Sequence, residues 1–123
     1  MNALETRGYS SALTQVETDR EAEARLLSRL NADLARSASD VARNYPAFTR
    51  ALHANERFWV QLATDLAHDD NRLPGEMRAA LISLAGFVIA HSAKVRSGAA
   101  SAQALTDLNL AIIRGLSGQE RIG

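Results

Sequence analysis

Apolar residues recur along most of this chain at alternating spacings of three and four, the pattern of helices that each bury one face. Leu26, Leu27, Leu30 and Leu34 form the first such stripe, with Arg25, Arg29, Asp33 and Arg36 on the other faces. Thr18 and Glu21 stand ahead of it at the spacing of a capping box, which predicts a first helix from about Thr18 to Ser37. Residues 1–17 carry no strong pattern and are expected to be a poorly ordered segment. Pro46 opens a second helix whose stripe is Phe48, Leu52, Asn55, Trp59, Leu62 and Leu66, ending near His68. Asp69, Asp70 and Asn71 then supply turn chemistry, because their side chains fold back onto the local backbone. Pro74 opens a third helix with the stripe Met77, Leu81, Leu84, Val88, His91 and Val95, and Gly98 is its left-handed stop. From Ser101 a fourth helix runs through Leu105, Leu108, Asn109, Ile112 and Leu116 to Gly115 or Gly118, with Asp107 the one charge between Ala99 and Ile113.

The expected fold is therefore all-α, a compact antiparallel bundle of about four helices, with one domain over residues 18–118. Short connections between helices two, three and four make them antiparallel neighbours. Abundant Ala and Leu with 5% aromatic residues agree with this class. At 123 residues, one modest core forms without staples, and the absence of cysteine removes disulfides and thiolate metal sites.

Charge narrows the function. Lys+Arg and Asp+Glu both number 14, so the formal charge is zero, whereas a dedicated nucleic-acid binder carries a basic excess. The longest uncharged run, Ala79 to Ala93, is too short for a membrane helix, and the N-terminus lacks a signal peptide's apolar segment. The expectation is a cytoplasmic protein that contacts neither nucleic acid nor membrane. No nucleophile elbow, phosphate-binding glycine loop or H-E-x-x-H motif occurs, so no enzyme activity, catalytic residue, cofactor or metal is expected. Asp65, His68 and Asp69 have the spacing of helix-borne metal ligands, but a metal site needs convergent ligands from elsewhere, and a solvated helix end is the favoured reading.

Candidate partner-binding residues each have a structural counterpart. Asn55 and Trp59 lie one turn apart on one face; they form either an interface hot spot or a core tryptophan with a polar neighbour, and the apolar stripe around them favours the core. Asp107 and Asn109 fall on different faces of the low-charge fourth helix. One reading has a side chain there gripping a partner's backbone; the other buries Asn109 and leaves Asp107 in water. Leu62, Phe87, Ile113 and Leu116 complete the candidates as apolar edges of helices two to four.

Several ordered segments resemble one family. They are REAEARLL from Arg20 after Tyr9, LHANERFWVQLATDL from Leu52, DDNRLPGEMR from Asp69, LISLAGFVIAHS from Leu81 and LTDLNLAIIRGL from Leu105. Together they are similar to the FlaF family of flagellum-biosynthesis regulators in alphaproteobacteria, over Tyr9 to Leu116, with Phe58 standing where a Leu is expected. The resemblance implies a cytoplasmic factor for flagellin production and export that binds flagellin as a chaperone and works alongside the regulator FlbT. Flagellin's helical termini carry apolar faces that are buried only in the filament, and a small helical protein would mask one of them. An adaptor acting through FlbT on flagellin translation, without touching flagellin, is the alternative. Self-association through the low-charge fourth helix is compatible with either, and the oligomeric state stays open.

Overall fold

The computed structural model describes the backbone of residues 3–116 and the side chains of residues 19–115. Four helices follow one another: α1 (Ala3–Ala38), α2 (Tyr45–Ala67), α3 (Gly75–Arg96) and α4 (Gln103–Leu116). No strand occurs among the described residues, and the helices pack into the expected all-α bundle.

Local chemistry sets three of the four helices close to where the sequence placed them. Pro46 sits in the first turn of α2, where its missing N–H costs nothing. Asn71 Oδ1 accepts the Leu73 N–H at 3.0 Å and shapes the turn before Pro74, the residue that caps α3. Gly98 takes φ +79° at the end of α3, a conformation that favours glycine. Ser101 Oγ accepts the Gln103 N–H at the start of α4.

The first helix departs from the expectation. It begins at Ala3 rather than near Thr18, so the Thr18–Glu21 pair lies inside a helix instead of starting one. A capping box is a local preference, and helix propagation adds one backbone bond per residue wherever nothing stops it. The side chains of the segment 1–17, expected to be poorly ordered, lie outside the described residues, as do the alternative helix end and the domain end at Gly118.

The core consists of Leu27 and Leu34 from α1, Phe48, Leu52, Trp59 and Leu66 from α2, Ala85, Val88 and Val95 from α3, and Leu105 from α4. Each large side chain withdrawn from water contributes about 1.5–3 kcal/mol against the entropy of ordering the chain. The α3 core face is rotated from the expected stripe: Ala85 and Ser92 are buried, while Met77 is exposed.

Neighbour relations are uneven. The α1 helix packs against α2 and α4, and α3 packs along α2. The α3–α4 contact is short, and α3 does not meet α1. In order of contact the helices run α3, α2, α1, α4, with the circuit nearly open between α4 and α3.

Candidate functional site

Each helix carries a buried polar residue within its apolar stripe: Asn31 on α1, Asn55 on α2, Ser92 on α3 and Asn109 on α4. Asn109 joins three of them. Its Nδ2 donates to Asn31 Oδ1 at 2.9 Å and to Asn55 Oδ1 at 2.8 Å, while its Oδ1 accepts the Trp59 indole N–H at 3.0 Å. The asparagine, fully buried, thus uses both amide hydrogens and its carbonyl within the bundle interior. The network fixes the register of α1, α2 and α4. Ser92 Oγ and Asn55 Nδ2 make no hydrogen bond, so α3 contributes no partner to it.

The opposite character appears on the outside of α3. Between Ala79 and Ala93 this helix has no charged residue, and Ile82 (39% exposed), Phe87 (45%) and Ile89 (42%) face outward there, with Met77 (48%) one turn before. By length and composition α3 is apolar enough to cross a membrane, and among the described residues it is the one helix of which that is true. Two tethers set its position on α2. Arg78 donates to the Leu66 and His68 carbonyl oxygens at 2.8 and 2.9 Å, and Arg96 pairs with Glu56. The two arginines lie five turns apart on the flank of α3 that faces α2. Ile82 and Ile89, at heptad spacing, fall just outside that flank, and Val60 (44% exposed), one turn beyond Glu56, lines the same seam from α2. An apolar band thus follows the outer α2–α3 seam.

Phe87 lies on the other side of α3, stacked on His91 with ring centroids 5.3 Å apart. His91 Nε2 is 2.9 Å from the Ser101 carbonyl oxygen, which only accepts, so the ring donates there. His91 is half-buried and serves the α3–α4 connection.

Of the residues the sequence singles out, Asn55, Trp59 and Asn109 come together, but inside the bundle, where they present no surface to a partner. Leu62 and Ile113 are half-buried, Leu62 against the core. Asp107 is exposed and accepts a hydrogen bond from Gln103 Nε2 at 2.8 Å. Phe87 is the one exposed apolar candidate among the described residues, and the Leu116 side chain lies outside them. Sequence reasoning passed over Asn31, Ser92, Val60, Ile82 and Ile89. Asn31 and Ser92 carried the signal that marked Asn55, a polar residue one turn from a core position on either side: Leu27 and Leu34 for Asn31, Val88 and Val95 for Ser92, Leu52 and Trp59 for Asn55. Ile82 and Ile89 carried a different one, isoleucines at heptad spacing off the main stripe.

Among the described residues one carboxylate is perturbed. Burial pushes Glu23 above its ordinary value of 4.5, with Asp65 and then Asp19 adding to the rise and Arg20 opposing it. Among the described residues no group of three His, Cys, Asp or Glu side chains could hold a metal ion.

The family model described as flagellar protein FlaF matches residues 5–116. Neither the curated proteins nor the solved structures provide a match.

Proposed function

Because the chain belongs to the FlaF family of flagellar proteins, we propose that it is a cytoplasmic export chaperone that binds flagellin and promotes its synthesis and secretion, a binding protein and not a catalyst. The carrying observation is the apolar band of Val60, Ile82 and Ile89 along the outer α2–α3 seam, which no other helix covers among the described residues. Two helices side by side, with large apolar side chains on the outer flank of their seam, suit an amphipathic helix docked in the groove between them. Such a ligand offers anchors at i, i+3 or i+4 and i+7, and the seven-residue spacing of Ile82 and Ile89 follows the same rhythm. A helical terminus of unassembled flagellin has that character, and masking it would hold back premature polymerisation.

Titration calorimetry against the cognate flagellin, intact and with each helical terminus removed, tests this. The expected result is binding that disappears with one truncation and weakens at least about tenfold in Ile89→Asp. Because Ile89 is exposed, that variant should keep wild-type helical content. Absence of binding to every form of flagellin would overturn the chaperone reading, and FlbT would be the next ligand to titrate.

A further inference from the structure

The outermost face of α3 is distinct from the α2–α3 seam and has a symmetry of its own. Glu76, Ala80, Ser83, Phe87, Ala90 and Lys94 follow one another at spacings of four and three and are all exposed. This is the rhythm of a helix–helix seam. Read from the two ends, the stripe is complementary to itself about its middle: Glu76 matches Lys94, Ala80 matches Ala90, and Ser83 matches Phe87. Each pair is opposite in charge, equally small, or small against large. Among the described residues neither Glu76 nor Lys94 makes an ion pair, and Lys94 is the chain's single lysine. A foreign helix would require no such symmetry, whereas a two-fold interface, which presents the same patch on both subunits, requires it.

We propose that α3 pairs with α3 of a second copy of this chain in antiparallel register. Glu76 of each chain then meets Lys94 of the other, Ala80 meets Ala90, and the Phe87 ring lies over Ser83. The two ends of the seam are closed by two equivalent ion pairs, and small residues between them let the helices approach. Gly86 lies beside this seam with open space around the position a Cβ would occupy, so nothing of its own chain obstructs the approach. One helix pair is a small interface, so the dimer is concentration-dependent. The pairing does not depend on the flagellin reading, which uses the Val60–Ile82–Ile89 flank instead.

Charge and register test it together. Sedimentation velocity over about 1 µM to about 1 mM should show a monomer–dimer equilibrium. Glu76→Lys and Lys94→Glu should each weaken it about tenfold, because both ion pairs become repulsive. Mixing these two variants, or combining both changes in one chain, should restore dimer, since every contact is then complementary again. Zero-length carbodiimide coupling should join Glu76 to Lys94. Within one helix those residues are about 27 Å apart, so that bond forms only between chains. Because the chain has no cysteine, Ala80→Cys mixed with Ala90→Cys should give a disulfide-linked dimer where Ala80→Cys alone gives none.

A monomer at every concentration, singles that are not rescued by mixing, or efficient coupling of Ala80→Cys to itself would each overturn the pairing. Flotation of a persistent monomer with phosphatidylcholine vesicles would assign the face to a lipid surface instead. Ile89→Asp should leave the dimer intact and Glu76→Lys should leave flagellin binding intact, so failure of one reading is distinguishable from failure of the other.

Discussion

Trp59 on α2 donates its indole N–H to Asn109 on α4 at 3.0 Å, in a bundle where the backbones of those two helices do not approach each other. The largest side chain of the core thus spans the interior and ends on a polar residue already committed to α1. Asn109→Leu would strand the Trp59 N–H and the Asn31 and Asn55 carbonyl oxygens together. The expected cost is about 3 kcal/mol or more in urea unfolding, because each buried group loses its partner without gaining water. Trp59→Phe alone removes the donor and part of the core volume. Combined with Asn109→Leu it should cost less than the sum of the two, by about 1 kcal/mol, since the shared bond is lost once. Additive losses would mean the bond adds nothing beyond packing.

The end of α3 predicts a backbone effect. The Ala99 N–H donates to the Lys94 carbonyl at 2.9 Å and the Gly98 N–H to the Val95 carbonyl at 3.1 Å, with Gly98 at φ +79° between them. These are the two bonds of a Schellman stop. A Cβ at position 98 meets no neighbouring atom, so a substitution there is opposed by conformation alone. Gly98→Ala should cost about 1 kcal/mol and Gly98→Asn less, as asparagine tolerates the left-handed region. Thermal unfolding of the two variants side by side checks the order.

Those two sites show what one sequence can reveal. Gly98, Pro46 and Pro74 act through their own backbones, so the boundaries they set were readable in one dimension. Asn55, Trp59 and Asn109 stood out for being polar or bulky within apolar stripes, but their joining depends on the register between helices that sequence spacing does not encode. Asn31 gives the same signal and is visible as a partner only once α1 is laid against α4. The start of α1 was misplaced for the converse reason: Thr18 and Glu21 satisfy a local rule that the continuing helix overrides. Exposure was the least legible property. Phe87, Ile82 and Leu84 are all apolar and close in sequence, and only the way α3 packs along α2 decides which of them meet water.

The tether on α2 gives a third prediction. Two nitrogens of the Arg78 guanidinium occupy the Leu66 and His68 carbonyls, acceptors that the last turn of α2 leaves without helical partners. Arg78→Ala should destabilise the chain by about 1–2 kcal/mol and raise amide exchange at the α2 C-terminus and in the turn through Asn71. Arg78→Lys should recover only part of this, because an ammonium lacks the planar fork that reaches both oxygens. Equal stability of the lysine variant and the wild type would reduce the interaction to charge near a helix end.

Glu23 makes stability depend on pH in a direction opposite to that of a salt-bridged carboxylate. Its folded pKa is raised above 4.5 by burial first and by Asp65 and Asp19 second, with Arg20 only partly offsetting them. The folded chain therefore holds this proton more tightly than the unfolded chain. Below pH 4.5 both states are protonated and the group exerts no penalty. As pH rises from 4.5 through the raised folded value, the unfolded chain gains stability by ionising first, and the folded state loses ground until both are ionised. Glu23→Gln keeps the side chain's shape without its charge, so it should melt higher than wild type at neutral pH and level with it below pH 4.5. The measurement is the difference in melting temperature between the two chains across that range. A variant that melts lower than wild type at neutral pH and converges with it toward acid would place Glu23 in a stabilising ion pair; a constant difference would mean its proton is not linked to folding.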